Sequence, residues 1–371
     1  MSSPSPPVKG RLYAVILAGG RGTRFWPRSR SKNPKQFMKL WGSTSLLQKT
    51  VARLHPLIPA SQVWVFTQEQ LVGEVVRHLP AVPRSQIVAE PCQRNTAPCI
   101  GLAAELIGAQ DPEAILGVFP SDQTVRKPGV FRRVVKLAAR KAAQGEVVVL
   151  GIAPRWPETG YGYVEFREPP ILDGIRALPV KRFHEKPSLD VAQRYLRARR
   201  FFWNSGMFFW TARTIQESLC RFLPQTAAVL QSIAQRLTDE KATDLRRRQR
   251  VLNELYPECE NISVDYAVME KARRVVGIPC DIGWSDVGSW NALYDLLPRD
   301  RQDNVLRTET LLFDSTGLLV DVPGKLLAGI GLENLVIVET DDALLVARRD
   351  RSQDVSRIVK ELEKARRKDL L

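Results

Sequence analysis

Between Leu12 and Leu150 the chain repeats one pattern, a short apolar run followed by a segment with apolar residues at helical spacing. "LYAVIL", "VWVFT", "QIVAE", "AILGVFP" and "EVVVLGI" read as strands, and 68–78, 96–109 and 131–143 as helices. Strands alternating with helices predict an α/β fold: a mixed, mostly parallel, Rossmann-like sheet with helices on both faces. Ligands of such sheets bind beyond the carboxyl ends of the strands. The residues that follow each strand are therefore the candidates for chemistry.

The stretch from Tyr161 to about Trp290 is more mixed. It holds strand-like pieces at 163–166, 180–184 and 207–210, with helices over 189–199 and 214–236. Beyond Asp300 short apolar runs alternate with Gly, Asp and Pro, the pattern of small strands joined by turns. A closing helix over 353–367 places Val355, Ile358, Val359 and Leu362 on one face, which is buried either within the chain or against a second subunit. The expected organisation is a disordered Ser/Pro-rich leader over 1–10, a main α/β domain over 11–298 and a small β-rich domain over 299–371.

Composition narrows the function classes. No apolar segment of the 371 residues reaches the roughly 18–20 needed to span a bilayer, and no signal peptide is visible, so a cytoplasmic, non-membrane protein is expected. Cys92, Cys99, Cys220, Cys259 and Cys280 form no CxxC pair, which argues against a zinc site and a disulfide framework. The net charge of +15 invites a nucleic-acid reading, but the cations are spread along the chain. Its densest clusters, "RRRQR" (246–250) and "EKARRKD" (363–369), read as solvated helix faces, and no nucleic-acid partner is expected.

After the first strand, residues 19–33 hold three glycines and five cations. Glycines let backbone N–H groups approach an anion, and Arg21, Arg24 and Lys35 can add charge-assisted contacts to phosphate. Neither a P-loop nor GxGxxG fits, and Pro27 and Pro34 keep the segment a loop. Arg28, Arg30 and Lys32 read as solvated loop charges.

After the third strand, Glu90 can accept from two adjacent N–H donors, the pattern of a guanine edge, while Asn95 and Thr96 suit either the base or a helix cap. After the fourth comes Asp122, and Asp286 lies in "GWSDVGSW". Two carboxylates from separate elements, with substrate phosphates, are a common way to hold Mg²⁺. "TGYGYV", "FHEKP" and "WNSGMFFW" suit a polyhydroxylated partner: Glu185 and Asn204 for hydroxyls, Gly160 and Gly206 for close backbone approach, Lys186 for a second phosphate.

With "LAGGRGTRFWP", "PKQF", "EPCQRNTAP", "FHEKP", "NSGMFFW", "SVDYAVMEKA" and "GWSDVGSW" spread over 12–349, the chain resembles the mannose-1-phosphate guanylyltransferases of the sugar-nucleotidyltransferase superfamily. The resemblance implies a GT-A-type catalytic domain followed by a small left-handed β-helix-like domain with a dimer-forming helix. It implies the reaction of GTP with α-D-mannose 1-phosphate to GDP-mannose and pyrophosphate, with Mg²⁺ on Asp122 and Asp286. The nucleotide would lie over Leu17, Ala18, Gly19 and Gly20, with Arg21, Gly22, Thr23, Arg24 and Lys35 at the triphosphate and Glu90, Asn95 and Thr96 at guanine. The sugar phosphate would meet Gly162, Glu185, Lys186, Asn204 and Gly206. Gln123 stands where the family commonly has His. The alternatives are a relative acting on glucose 1-phosphate or a manno-heptose phosphate, a non-catalytic subunit of the same fold, and a basic nucleic-acid-binding module.

Overall fold

The computed structural model describes residues 10–20, 22–172, 174–237, 244–272 and 274–371. Arg21, and the expected leader apart from Gly10, lie outside the described residues. The chain divides into two compact units. One gathers the residues up to Gly19 with Thr50–Ser121 and Val125–Trp284; the other gathers Gly20–Lys49, Asp122–Thr124 and Ser285–Leu371. The glycine-rich loop thus groups with the C-terminal strands, although it directly follows the first strand in sequence.

The first unit is built on a nine-stranded sheet of β1 (Leu12–Leu17), β2 (Val63–Gln68), β3 (Ile87–Glu90), β4 (Ile115–Pro120), β5 (Val147–Ile152), β6 (Tyr163–Phe166), β7 (Leu178–His184), β8 (Phe201–Thr211) and β9 (Val275–Cys280). Their order is β3-β2-β1-β4-β8-β5-β9-β7-β6. β1 is parallel to β2 and β4, β2 to β3, and β5 to β9; β7 and β8 run against the other seven. The sheet is mixed with most strands pointing one way, as the alternating pattern implies. β5 is buried at every position and β1 and β2 nearly so, the consequence of cover on both faces. Tyr13 and Val15 share a core cluster with Ile100 and Ala103 of the helix Thr96–Gly108. Through the other face, Phe119 meets Phe131 of the helix Pro128–Ala142 edge-on at 6.2 Å. Burial of one such aromatic stabilises by about 2–3 kcal/mol.

Two elements differ from the sequence expectation. The strand expected over 207–210 is the eleven-residue β8. Its polar centre, Asn204-Ser205-Gly206, masks the apolar run in sequence, yet the strand continues through it as a bulge. The register against β5 passes from Val149↔Phe208 to Gly151↔Asn204, and Gly206 adopts φ +71°. The helix expected over 214–236 is two, Ala212–Phe222 and Pro224–Leu237, because Pro224 has no N–H to continue the first.

"RRRQR" also departs from a solvated face. Arg248, on the helix Leu245–Leu255, is 8% exposed and donates to the carbonyls of Ser85 at 2.5 Å and Ile87 at 2.8 Å. It serves carbonyls along β3 and the residues leading into it, and burial, with the neighbouring charge of Arg84, pulls its pKa down to about 10.

The second unit has its own core. Phe25, Trp26, Met38 and Leu40 of the glycine-rich loop pack with Trp290, Leu293, Tyr294, Val336, Val338 and Leu345. Trp290 Nε1 donates to the Trp26 carbonyl at 3.1 Å, and Trp26 Nε1 to the Leu370 carbonyl at 2.9 Å. The strands Val305–Leu306, Leu319–Asp321 and Leu335–Glu339 stack in parallel, as do Thr310–Phe313 and Leu327–Ile330. Parallel neighbours so close in sequence have no room for a crossover helix, so the chain coils, and the β-helix-like expectation holds. The closing helix, Val355–Lys364, buries Val355 and Val359 in this unit and leaves Ile358 38% exposed. Arg28 and Arg30 are more than solvated loop charges: they are half-buried and pair with Asp321 at 2.8 Å and Asp342 at 2.6 Å. Among the described residues no helix is long and apolar enough to cross a membrane, and the five cysteines are free.

Candidate active site

In the first unit, the ends of β1, β2 and β3 bring one group of expected residues together. Beyond Leu17 the chain leaves β1 with Ala18 N–H donating to the Phe66 carbonyl at 2.8 Å. The Gly19 carbonyl accepts from Gln68 at 2.7 Å and from Gln93 at 2.9 Å. Glu90, paired with Gln68 across the strands, turns its Oε2 toward Gly19, 3.7 Å from where a side chain there would start. Its Oε1 accepts from the Tyr256 hydroxyl at 2.6 Å. Burial pushes the Glu90 carboxyl up to about 7, against the pull of hydrogen bonds from Tyr256 and Cys99. Asn95, at φ +63°, caps the helix Thr96–Gly108 by accepting from Thr96 N–H at 3.0 Å, and Thr96 Oγ1 accepts from Val264 N–H at 2.9 Å. The capping reading is therefore realised by Asn95, whereas the Thr96 hydroxyl serves Val264 and not its own helix.

A second group surrounds Glu185. Its side chain is 7% exposed; Oε1 pairs with Lys186 Nζ at 2.8 Å, and Oε2 is buried with no hydrogen-bond partner among the described residues. A Cβ on Gly162 would stand 2.4 Å from that oxygen, so a side chain there requires the Glu185 carboxylate to move. The Gly162 carbonyl accepts from Asn204 N–H at 2.8 Å, and Asn204 Oδ1 accepts from Gly206 N–H at 2.9 Å. Asn204 Nδ2 donates to Asp265 Oδ1 at 2.9 Å. Burial, then the negative charge of Glu185, raises the Asp265 carboxyl to about 6. Lys186 loses solvation, but the hydrogen bond and charge of Glu185 raise its pKa overall. Trp203 is flanked by Trp156 at 4.7 Å and Tyr161 at 5.4 Å, an aromatic wall beside Asn204 in the sequence. A buried acceptor, a half-exposed ammonium and glycine clearance suit a ligand bearing hydroxyls and an anionic group.

In the second unit, Gly22 takes φ +64° to open a short turn at Thr23–Phe25, and a Cβ on it would collide with Lys35 Cβ at 2.3 Å. Lys35 is 5% exposed and its Nζ donates to Asp122 Oδ2 at 2.8 Å and to the Asp286 carbonyl at 2.6 Å. Lys35, Asp122 and Asp286 therefore come together, while Gly20 and Arg24 are exposed and Thr23 half-buried. Lys35 engages Asp122 through Oδ2, and the Asp122 side chain is 38% exposed. That donor set fits a hard cation that keeps several waters and is completed by phosphates. No group of three or more His, Cys, Asp or Glu suited to a metal occurs among the described residues.

Comparison with known proteins decides the family. The Nucleotidyl transferase family model matches residues 13–303, and the MannoseP isomerase/GMP-like beta-helix domain model matches 308–362. A Klebsiella pneumoniae mannose-1-phosphate guanylyltransferase is 38% identical over 96% of this chain and 75% of its own length. The chain belongs to the mannose-1-phosphate guanylyltransferase family. An Escherichia coli mannose-1-phosphate guanylyltransferase is 39% identical over the same shares. A Thermus thermophilus crystal structure, named as a mannose-1-phosphate geranyltransferase, superimposes with a TM-score of 0.83 at 31% identity, covering 95% of this chain and 99% of that one.

In this mannose-1-phosphate guanylyltransferase family member, two residues of the site groups escape sequence reasoning. Asp265 lies inside "SVDYAVMEKA", where only its spatial link to Asn204 gives it a part. Tyr256 carries no motif signal, because its partner Glu90 is 166 residues away.

Proposed function

We propose that the chain catalyses GTP + α-D-mannose 1-phosphate → GDP-mannose + pyrophosphate, by in-line attack of the sugar phosphate on the α-phosphate. The buried, unpartnered Glu185 Oε2 beside Lys186 carries this reading, because it asks for a ligand hydroxyl next to an anionic group. Glu185 and Asn204 position the sugar, with Gly162 and Gly206 leaving it room, and Lys186 orients its phosphate. Leu17 to Gly19 carry the nucleoside, whose base meets Glu90, with Asn95 and Thr96 shaping the turn beside it.

The attacking phosphate is itself a nucleophile, so positioning and charge neutralisation carry the chemistry rather than a general base. Gly20, Gly22 and Thr23 offer backbone donors to the triphosphate, and Arg24, with Arg21, neutralises the departing pyrophosphate. Lys35 supplies a fixed positive charge and holds Asp122 and Asp286 in place. Those two aspartates are the residues that would hold Mg²⁺, which when bound neutralises charge on the reacting phosphates.

The same reading has the protein working in the cytoplasm, in keeping with five free cysteines. It also has the protein working as a homodimer, in keeping with Phe313 and Ile330, register partners that are 55% and 75% exposed. Pyrophosphate release over a grid of nucleoside triphosphates and hexose 1-phosphates, with and without Mg²⁺, tests the assignment. Highest kcat/KM for GTP with mannose 1-phosphate is expected. Preference for another pair would overturn it.

A further inference from the structure

We propose that Tyr256 is the positioning residue for nucleotide selection: its hydroxyl, donating to Glu90 Oε1 at 2.6 Å, holds the carboxylate in the form and orientation that accept a guanine edge. The inference rests on the reading that Glu90 meets the base. It adds what makes that glutamate select guanine over adenine.

The geometry is built for this contact. Tyr256 is fully buried and opens the short turn Tyr256–Glu258 at the end of the helix Leu245–Leu255. That helix and turn are tied to β3 and its flanking residues at several points. Arg248 donates to Ser85 and Ile87 carbonyls, Gln249 to the Ala89 carbonyl at 3.4 Å, and Arg94 to the Pro257 carbonyl. The phenol therefore has little freedom relative to the end of β3, where Glu90 stands. Among the described residues Tyr256 and Cys99, the latter on the helix Thr96–Gly108, hydrogen-bond this carboxylate, and Gln68, its register partner on β2, has its amide committed to Gly19, as does Gln93.

The chemistry follows from donor and acceptor patterns. An ionised carboxylate only accepts, which matches the N1–H and exocyclic N–H donors of guanine. A protonated carboxyl donates through one oxygen and accepts through the other, which matches adenine's N1 acceptor and exocyclic N–H. Nucleotide choice thus depends on the protonation of Glu90. Burial drives that group toward the neutral form, with its pKa up to about 7, and the hydrogen bond from Tyr256 opposes the drift.

The experiment measures kcat/KM for GTP, ITP and ATP between pH 6 and 8.5 in wild type, Tyr256→Phe and Glu90→Gln. Phenylalanine keeps the ring that fills the core, and thermal melts check the fold. For Tyr256→Phe the GTP:ATP ratio at pH 7 should fall about tenfold and the acid limb for GTP should move up by about one pH unit. The KM for mannose 1-phosphate should stay unchanged. A lower melting temperature with ratio and limb unmoved would mean that Tyr256 only packs, and the proposal would fall. If Glu90→Gln alone alters the ratio, Glu90 still reads the base and only the role of Tyr256 is lost. If neither variant alters it, the reading of Glu90 fails as well.

Discussion

The ammonium of Lys35 is bound to the carboxylate of Asp122 at 2.8 Å, and the same nitrogen holds the Asp286 carbonyl at 2.6 Å. One buried side chain thus ties together the two aspartates expected to hold the metal. Lys35→Met keeps the stem but leaves Asp122 unpaired and the Asp286 carbonyl without its donor. Stability should fall by about 1–3 kcal/mol in urea melts. The kcat should fall by about a hundredfold, more than a lost surface charge would produce. Arginine should not restore it, since a planar guanidinium does not fit where one compact nitrogen makes both contacts.

Asp122→Asn and Asp286→Asn test the metal directly. Each should abolish Mg²⁺-dependent pyrophosphate release with an unchanged circular dichroism spectrum, and chelation of wild type with EDTA should do the same. Near-normal kcat in either variant would remove that aspartate from the metal.

Gly162 separates the sugar from the nucleotide in a steady-state measurement. An alanine methyl there would stand 2.4 Å from Glu185 Oε2, so the glutamate must move. Gly162→Ala should raise the KM for mannose 1-phosphate at least tenfold while leaving the KM for GTP within about twofold. Equal changes in both would place Gly162 in general packing.

Much of the fold is legible because the first five strands are continuous apolar runs, and cover on both faces demands such runs. β8 is only partly legible, since a bulge that serves the site interrupts its pattern with Asn204 and Gly206. The compact units are not legible as a linear cut: Phe25 and Trp26 look like loop residues until Trp290 and Val336 are found packed with them. Glu90, Asp122 and Glu185 stand out by residue type just after strands. Tyr256 and Asp265 act only through partners distant in sequence, and no local spacing encodes that.

Asp265 links the site to the pH dependence of stability. Burial first, and then the charge of Glu185, lift its carboxyl from the ordinary 3.8 to about 6. The folded state therefore holds this proton more tightly than the unfolded chain. The stabilisation is fully present at acid pH and is lost as the pH rises from about 3.8 through 6. Above that window the ionised group costs on the order of 3 kcal/mol. Asp265→Asn keeps an oxygen to accept from Asn204 Nδ2 and removes the charge. Its melting temperature should exceed that of wild type at pH 8, with the gap closing toward pH 4.5. The same variant should bind mannose 1-phosphate more weakly, because Asn204 is then held by a neutral partner. A gap that does not change between pH 4.5 and 8 would show that the charge of Asp265 is not what the folded state resists.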